Sequence, residues 1–342
     1  MADYSALDKL LHRLALGSPA LAEMVHDIER GLHLKSAPQS RNGQHVYVTG
    51  LARAGSTILM REIHATGAFG SLTYADMPFV LAPNLWAKLS KTKDAGPSAE
   101  RAHGDGIKVD AHSPEALEEV YWRIFCGKDY SHHSGLTPLK PSADEMDGYL
   151  DLVRLILKRT GKTRYLAKNN NAILRLRPLA RALPQSLFLL PIRAPLQHAQ
   201  SLLGQHNRFL APDPFTVQYM TWLAHHEFGA TQRPFLFGPA PAGEPMALDY
   251  WLRLWIMVYT DLGKAAADLP NALLVPHEDL ARNPAIWPAL SARMGTAGAP
   301  MAEVRETAPR AIPAHDPALA AEADALYQSL RTAALPRILN GV

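Results

Sequence analysis

Eight residues, Gly50-Leu51-Ala52-Arg53-Ala54-Gly55-Ser56-Thr57, have the make-up of an anion cradle. They follow the apolar run His45-Val46-Tyr47-Val48-Thr49 and precede helical spacing at Ile58, Leu59 and Ile63. The order strand, glycine loop, helix lets backbone N–H groups and the positive end of a helix dipole converge on a phosphate or sulfate. The loop departs from the nucleotide-hydrolysing pattern Gly-x4-Gly-Lys-Ser/Thr at one position, because Ser56 stands where the lysine belongs. The cation is Arg53 instead, inside the loop. A loop without the lysine that grips β- and γ-phosphates suits a phosphosulfate better than a triphosphate with Mg²⁺.

Three further segments carry matching chemistry. The apolar run Ser186–Ile192 ends in Arg193-Ala194-Pro195, with Ser201 eight positions after the arginine. An arginine at a strand end and a hydroxyl about two turns along the next helix can meet on one phosphate. Leu273-Leu274-Val275-Pro276-His277-Glu278-Asp279-Leu280 reads as a strand running into a helix, with Glu278 and Asp279 capping its start and pairing with basic residues. Tyr165-Leu166-Ala167-Lys168-Asn169-Asn170 ends another short strand on a lysine.

Together these segments resemble the sulfotransferases that use 3′-phosphoadenosine 5′-phosphosulfate (PAPS). Arg53-Ala54-Gly55-Ser56-Thr57 is similar to that family's 5′-phosphosulfate loop, and Arg193 with Ser201 to its 3′-phosphate motif, with Ala194 in place of the usual Asp. His277-Glu278-Asp279-Leu280 is similar to the family's Tyr-Glu-Asp-Leu, and Lys168-Asn169-Asn170 to its Lys-Ser/Thr/Asn-Pro. The motifs run from about residue 46 to 284, most of the chain. The resemblance implies PAPS as co-substrate, bound by Arg53, Ala54, Gly55, Ser56, Thr57, Arg193 and Ser201, with no metal. The family's C-terminal loop over the 3′-phosphate has no clear counterpart beyond Arg305 and Arg310.

Sulfuryl transfer needs an acceptor hydroxyl in line with the leaving oxygen, cations on the developing charge, and a base for the hydroxyl proton. Lys168 is the candidate second cation. Asp76, after a second strand expected at Ser71–Tyr74, is the candidate base at the C-terminal sheet edge, and His103 in the polar segment 91–113 is the alternative. Two other readings fit parts of the pattern: a P-loop kinase or nucleotide hydrolase with a degenerate loop, and a nucleotide-binding module that transfers nothing.

The elements that must position these groups alternate strand and helix. Helices are expected at 114–126, 143–160, 172–183, from about 195, and at 212–228, 247–268, 284–294 and 316–334. The continuous apolar strand at 186–192 implies burial on both faces of a parallel sheet. The fold class is therefore α/β: a three-layer sandwich around a central parallel sheet of about four to five strands, P-loop NTPase-like, in a single domain over 1–342. Residues 1–36 read as an N-terminal helical extension, and 91–113 as a polar loop near the acceptor site.

Of 342 residues, 35 are Lys or Arg and 32 Asp or Glu, a net charge of +3 that offers no case for nucleic-acid binding. One cysteine, Cys126, excludes an intrachain disulfide framework and a cysteine-based zinc site. The N-terminal apolar stretch carries Asp, Lys, His and Arg, and no 18-residue apolar run occurs, so the expectation is a cytoplasmic enzyme without a transmembrane segment. Its partner is a small-molecule, glycan or lipid acceptor hydroxyl; whether it forms a homodimer is left open.

Overall fold

The computed structural model describes residues 6–90, 99–100, 108–211, 214–301 and 311–340. Helices α1 (Ala6–Gly17) and α2 (Pro19–His33) open the chain; the Ser18 hydroxyl accepts the Leu21 amide and Pro19 begins α2. Strand β1 (Val46–Val48) runs into α3 (Ser56–Ala65), followed by α4 (Pro83–Leu89). The short strands β2 (Ala99–Glu100) and β3 (Lys108–Val109) pair antiparallel, as do β4 (Ser131–His132) and β5 (Gly135–Leu136) after α5 (Glu119–Tyr130).

Helix α6 (Ala143–Thr160) forms over the span its sequence predicts. Ser142 and Glu145 close a capping box at its start, and Gly161 at φ +65° ends it. Then come β6 (Leu166–Lys168), α7 (Leu176–Ala182), β7 (Leu187–Ile192), α8 (Pro195–Arg208) and α9 (Pro214–Trp222). The chain continues through α10 (Leu248–Asp268), β8 (Ala272–Pro276), α11 (His277–Arg282), α12 (Ile286–Arg293) and α13 (Pro317–Leu339).

Four strands form one parallel sheet in the order β6-β1-β7-β8. Their residues alternate between two cores. Tyr47, Phe188, Leu190 and Leu274 face the side that holds α6 and α10, while Val46, Val48, Leu189, Leu273 and Val275 face α3 and α12. This double coverage explains why β7 and β8 are apolar almost throughout. The architecture is the three-layer α/β sandwich the sequence predicts, with four strands.

The chain departs from expectation in four places. No strand forms at 71–74; Gly70 makes a single bridge to Tyr165, and the chain then turns through a 3₁₀ segment at Tyr74–Asp76. The helix expected at 114–126 starts at Glu119, and the one expected at 172–183 begins as a 3₁₀ turn, Asn170–Arg175. The helix expected at 212–228 ends at Trp222. Most of the 91–113 segment lies outside the described residues.

Candidate active site

In the sheet order, β1 is followed by β6 on one side and β7 on the other, so the loops after β1 and β7 flank a crevice at the C-terminal edge, where open α/β sheets take ligands. The 49–55 loop fills it. Arg53 adopts φ +70°, a left-handed conformation uncommon for a residue with a side chain, and Gly55 follows at φ +93°. Gly55 has to be glycine, because a Cβ there would lie 2.6 Å from His277 Nδ1. Gly55 precedes α3, whose first amides, those of Ser56, Thr57 and Ile58, have no intrahelical acceptor.

Two motifs 148 positions apart meet here, as Arg53 Nε donates to Ser201 Oγ at 3.3 Å. Arg193 Nη1 donates to the Arg53 carbonyl at 3.2 Å. His198, one turn before Ser201, supports the loop from beneath. It receives the Trp255 indole N–H on Nδ1 at 3.2 Å, which assigns the proton to Nε2, 2.8 Å from the Ala52 carbonyl. Burial pushes this imidazole down to about 3 despite the Ala52 bond, and Arg193, His277 and Arg53 push the same way. Its neutral state follows first from burial, with the neighbouring cations adding to it. Sequence reasoning missed His198.

Beside Arg193 opens a cavity of about 410 Å³, lined by Gln197, His277, Arg282 and Arg331 among others. Its acidic residues are committed. Glu278 accepts the Ala194 amide at 2.9 Å and the Tyr327 hydroxyl at 2.6 Å, while Asp279 takes both arms of Arg331 at 2.6 and 2.7 Å. Asp279 takes the paired role expected of it, whereas Glu278 serves an amide and a hydroxyl, and neither side chain caps the start of α11 as expected.

On the other side of the loop, the tip of β6 carries Lys168, Asn169 and Asn170. Thr49 Oγ1 donates to the Asn169 carbonyl at 2.7 Å, and the Asn169 amide to the Val48 carbonyl at 3.0 Å, so this tip and the loop are one rigid unit. Lys168 is 7 % exposed. Asn170 Nδ2 donates to Glu227 Oε1 at 2.8 Å, and His225 Nδ1 stands 3.6 Å from Glu227 Oε2. Burial works to raise the Glu227 carboxyl, but His225, Asn170 and Lys168 together overcome it and hold the group below the usual carboxylate range. Beneath the tip, Asn169 Nδ2 bonds Glu118 at 3.1 Å and Glu119 at 2.6 Å, and Arg175 pairs with Glu119.

Asp76, the candidate base, closes the 3₁₀ segment Tyr74–Asp76. It is 1 % exposed. One oxygen accepts the Thr73 amide at 2.8 Å and hydroxyl at 3.1 Å in a capping box, and the other faces Arg159 Nε at 2.7 Å. Burial raises its pKa while Arg159 opposes the rise. Both oxygens are thus engaged within the fold. Asp76→Ala should lower stability by about 1–3 kcal/mol, seen as a lower thermal midpoint, and leave kcat unchanged; a collapse of kcat at full stability would restore Asp76 as the base. His103, the alternative base, and Arg305 and Arg310 lie outside the described residues. Among the described residues no group of three or more His, Cys, Asp or Glu could hold a metal, and no helix is long and apolar enough to cross a membrane.

The chain superposes on sulfotransferase STF1 of Mycobacterium tuberculosis H37Rv with a TM-score of 0.53 and 13 % identity, covering 100 % of this chain and 88 % of that one. The fold is the sulfotransferase fold. Sulfotransferase STF9 of Mycobacterium avium aligns with a TM-score of 0.49 and 12 % identity over 97 % of this chain and 79 % of that one. No protein-family model and no curated protein matches the sequence.

Proposed function

We propose that the protein transfers a sulfuryl group from PAPS to an acceptor hydroxyl. The observation that carries this reading is the junction of Arg53, Arg193 and Ser201 in one cationic crevice, with a large cavity continuing from Arg193. Arg53 and the backbone of residues 54–57 hold the 5′-phosphosulfate. Ser56 and Thr57 add hydroxyl donors. Arg193 and Ser201 take the 3′-phosphate, and the cavity lined by Gln197 and His277 receives the nucleoside.

Transfer is an in-line displacement. As the acceptor oxygen bonds to sulfur, the bond from sulfur to the 5′-phosphate oxygen breaks, and negative charge gathers on that oxygen. Preformed cations and amides at the loop lower this barrier because they need no rearrangement as the charge develops. Lys168, at the neighbouring strand end, is the second cation on the sulfuryl or bridging oxygen. No metal is required, and a reducing cytoplasmic setting suits a chain whose one cysteine is buried.

Calorimetric titration separates this reading from a kinase. Adenosine 3′,5′-bisphosphate should bind with micromolar or tighter affinity, without Mg²⁺, and more tightly than ATP with Mg²⁺. A preference for ATP with Mg²⁺ would return the protein to the nucleotide kinases and hydrolases. Bisphosphate binding without sulfuryl transfer to any hydroxyl would leave a binding module.

A further inference from the structure

We propose that the outward face of α2 is the interface of a two-fold dimer, in which a second copy of this chain lays its own α2 antiparallel against it. A surface helix of a folded domain turns its apolar stripe inward and its polar face to water. Helix α2 does the reverse. Its buried residues are Ala22, His26, Glu29 and His33, while Met24, Ile28 and Leu32, about one turn apart, are 52, 47 and 62 % exposed. Rotation of the helix cannot hide this stripe, because the buried groups are bonded in place. His26 Nδ1 meets the Leu81 carbonyl at 2.9 Å. Glu29 accepts the Asn84 and Leu85 amides, each at 2.9 Å, and Asn84 Nδ2 at 2.7 Å. Of the ten large apolar side chains left exposed among the described residues, five lie on α1 and α2, so this surface is concentrated rather than scattered.

A second row on the same helix selects the occupant. Glu23, Asp27, Gly31 and Lys35 follow one another at four-residue spacing beside the apolar row, and all four are exposed. A Cβ on Gly31 would meet nothing within 4 Å, so the fold of one chain does not require glycine there, although glycine weakens a helix interior. It leaves room for a second backbone approaching from outside. The row reads acid, acid, glycine, base, which suits one orientation. A parallel copy would set each acid against itself. An antiparallel copy, with the two-fold axis at the level of Glu29, sets Glu23 against Lys35 of the other copy and Asp27 against its Gly31. Met24, Ile28 and Leu32 of each helix then fall into the gaps of the other row. Lys158, which donates to the His33 carbonyl at 3.4 Å, adds positive charge at the Lys35 end. A lipid surface fits less well, since Glu23 and Asp27 flank the stripe and anionic headgroups repel them.

Sedimentation equilibrium of the full chain over a concentration series, with phosphatidylglycerol vesicles as a second arm, tests this. Wild type should approach twice the 37.5 kDa mass of one chain and leave the vesicles unbound. Ile28→Glu should raise the dimer dissociation constant about 30-fold or more, with an unchanged circular dichroism spectrum. Gly31→Ala should raise it about ten-fold while helix content stays at or above wild type, because alanine favours the helix and obstructs only the second backbone. Glu23→Lys and Lys35→Glu should each weaken association about five-fold, and the two together should restore it. That rescue is beyond a helix that has merely unfolded. A wild type that stays monomeric, a dimer that survives Ile28→Glu, or charge changes that fail to compensate overturns the antiparallel interface. A monomer whose vesicle binding is lost in Ile28→Glu overturns it in favour of a membrane surface.

Discussion

Arg193→Ala should weaken adenosine 3′,5′-bisphosphate binding by about 100-fold, which is about 2.8 kcal/mol at 1.4 kcal/mol per decade. Two losses add. The guanidinium is a planar fork that can give two charge-assisted hydrogen bonds to one phosphate. It also donates to the Arg53 carbonyl at 3.2 Å, where the backbone holds φ +70°, so removing it frees the loop as well. Arg193→Lys should recover only part of the affinity, since a point charge replaces neither the fork nor the reach. Ser201→Ala removes one neutral donor and should cost roughly five-fold. The affinities come from calorimetry at one fixed salt concentration. If Arg193→Ala binds the bisphosphate as tightly as wild type while ATP binding falls, the 3′-phosphate assignment fails.

The loop and β7 were legible because their constraints are local. A strand buried on both faces has to be apolar, and an anion loop has to have glycine and small residues where the backbone turns. The same holds for α6, whose cap residues stand next to it in sequence. What stayed hidden depends on contacts between distant segments. The stretch Ser71–Tyr74 has strand-like residues, yet Asp76 closes a box back onto Thr73 and turns the chain. Its carboxylate is claimed by Arg159, which nothing near residue 76 announces. Glu118 and Glu119 did carry a signal: two adjacent charges between Ala116-Leu117 and Val120-Tyr121-Trp122 cannot both reach solvent from a buried helix start. His225 and Glu227 do not pair on the helix expected at 212–228, where positions 225 to 227 fan around the axis, but that helix ends at Trp222. The left-handed Ala224 removes that regularity.

Arg175→Met should destabilise the protein by about 3–5 kcal/mol, a large share of the roughly 5–15 kcal/mol that holds a typical domain folded. Arg175 is 0 % exposed and pairs with Glu119, with its guanidinium carbon 4.5 Å above the Trp122 ring. Methionine fills much of the space but leaves Glu119 a buried charge without its cation. Glu119 also accepts the Tyr130 hydroxyl at 2.5 Å and Asn169 Nδ2 at 2.6 Å. The disturbance therefore reaches the β6 tip and, through the Asn169 carbonyl, Thr49 at the mouth of the loop. Adding Glu119→Gln removes the orphaned charge and keeps an oxygen for one of the two donors, Tyr130 on Oε1 or Asn169 on Oε2, so the double variant should recover about half of the loss. The two substitutions are in contact and should be strongly non-additive. Urea midpoints of the four proteins in the cycle measure this coupling. A single-variant loss below about 1 kcal/mol, or additive effects, would mean that water reaches Glu119 and that the ion pair does not anchor the β6 tip.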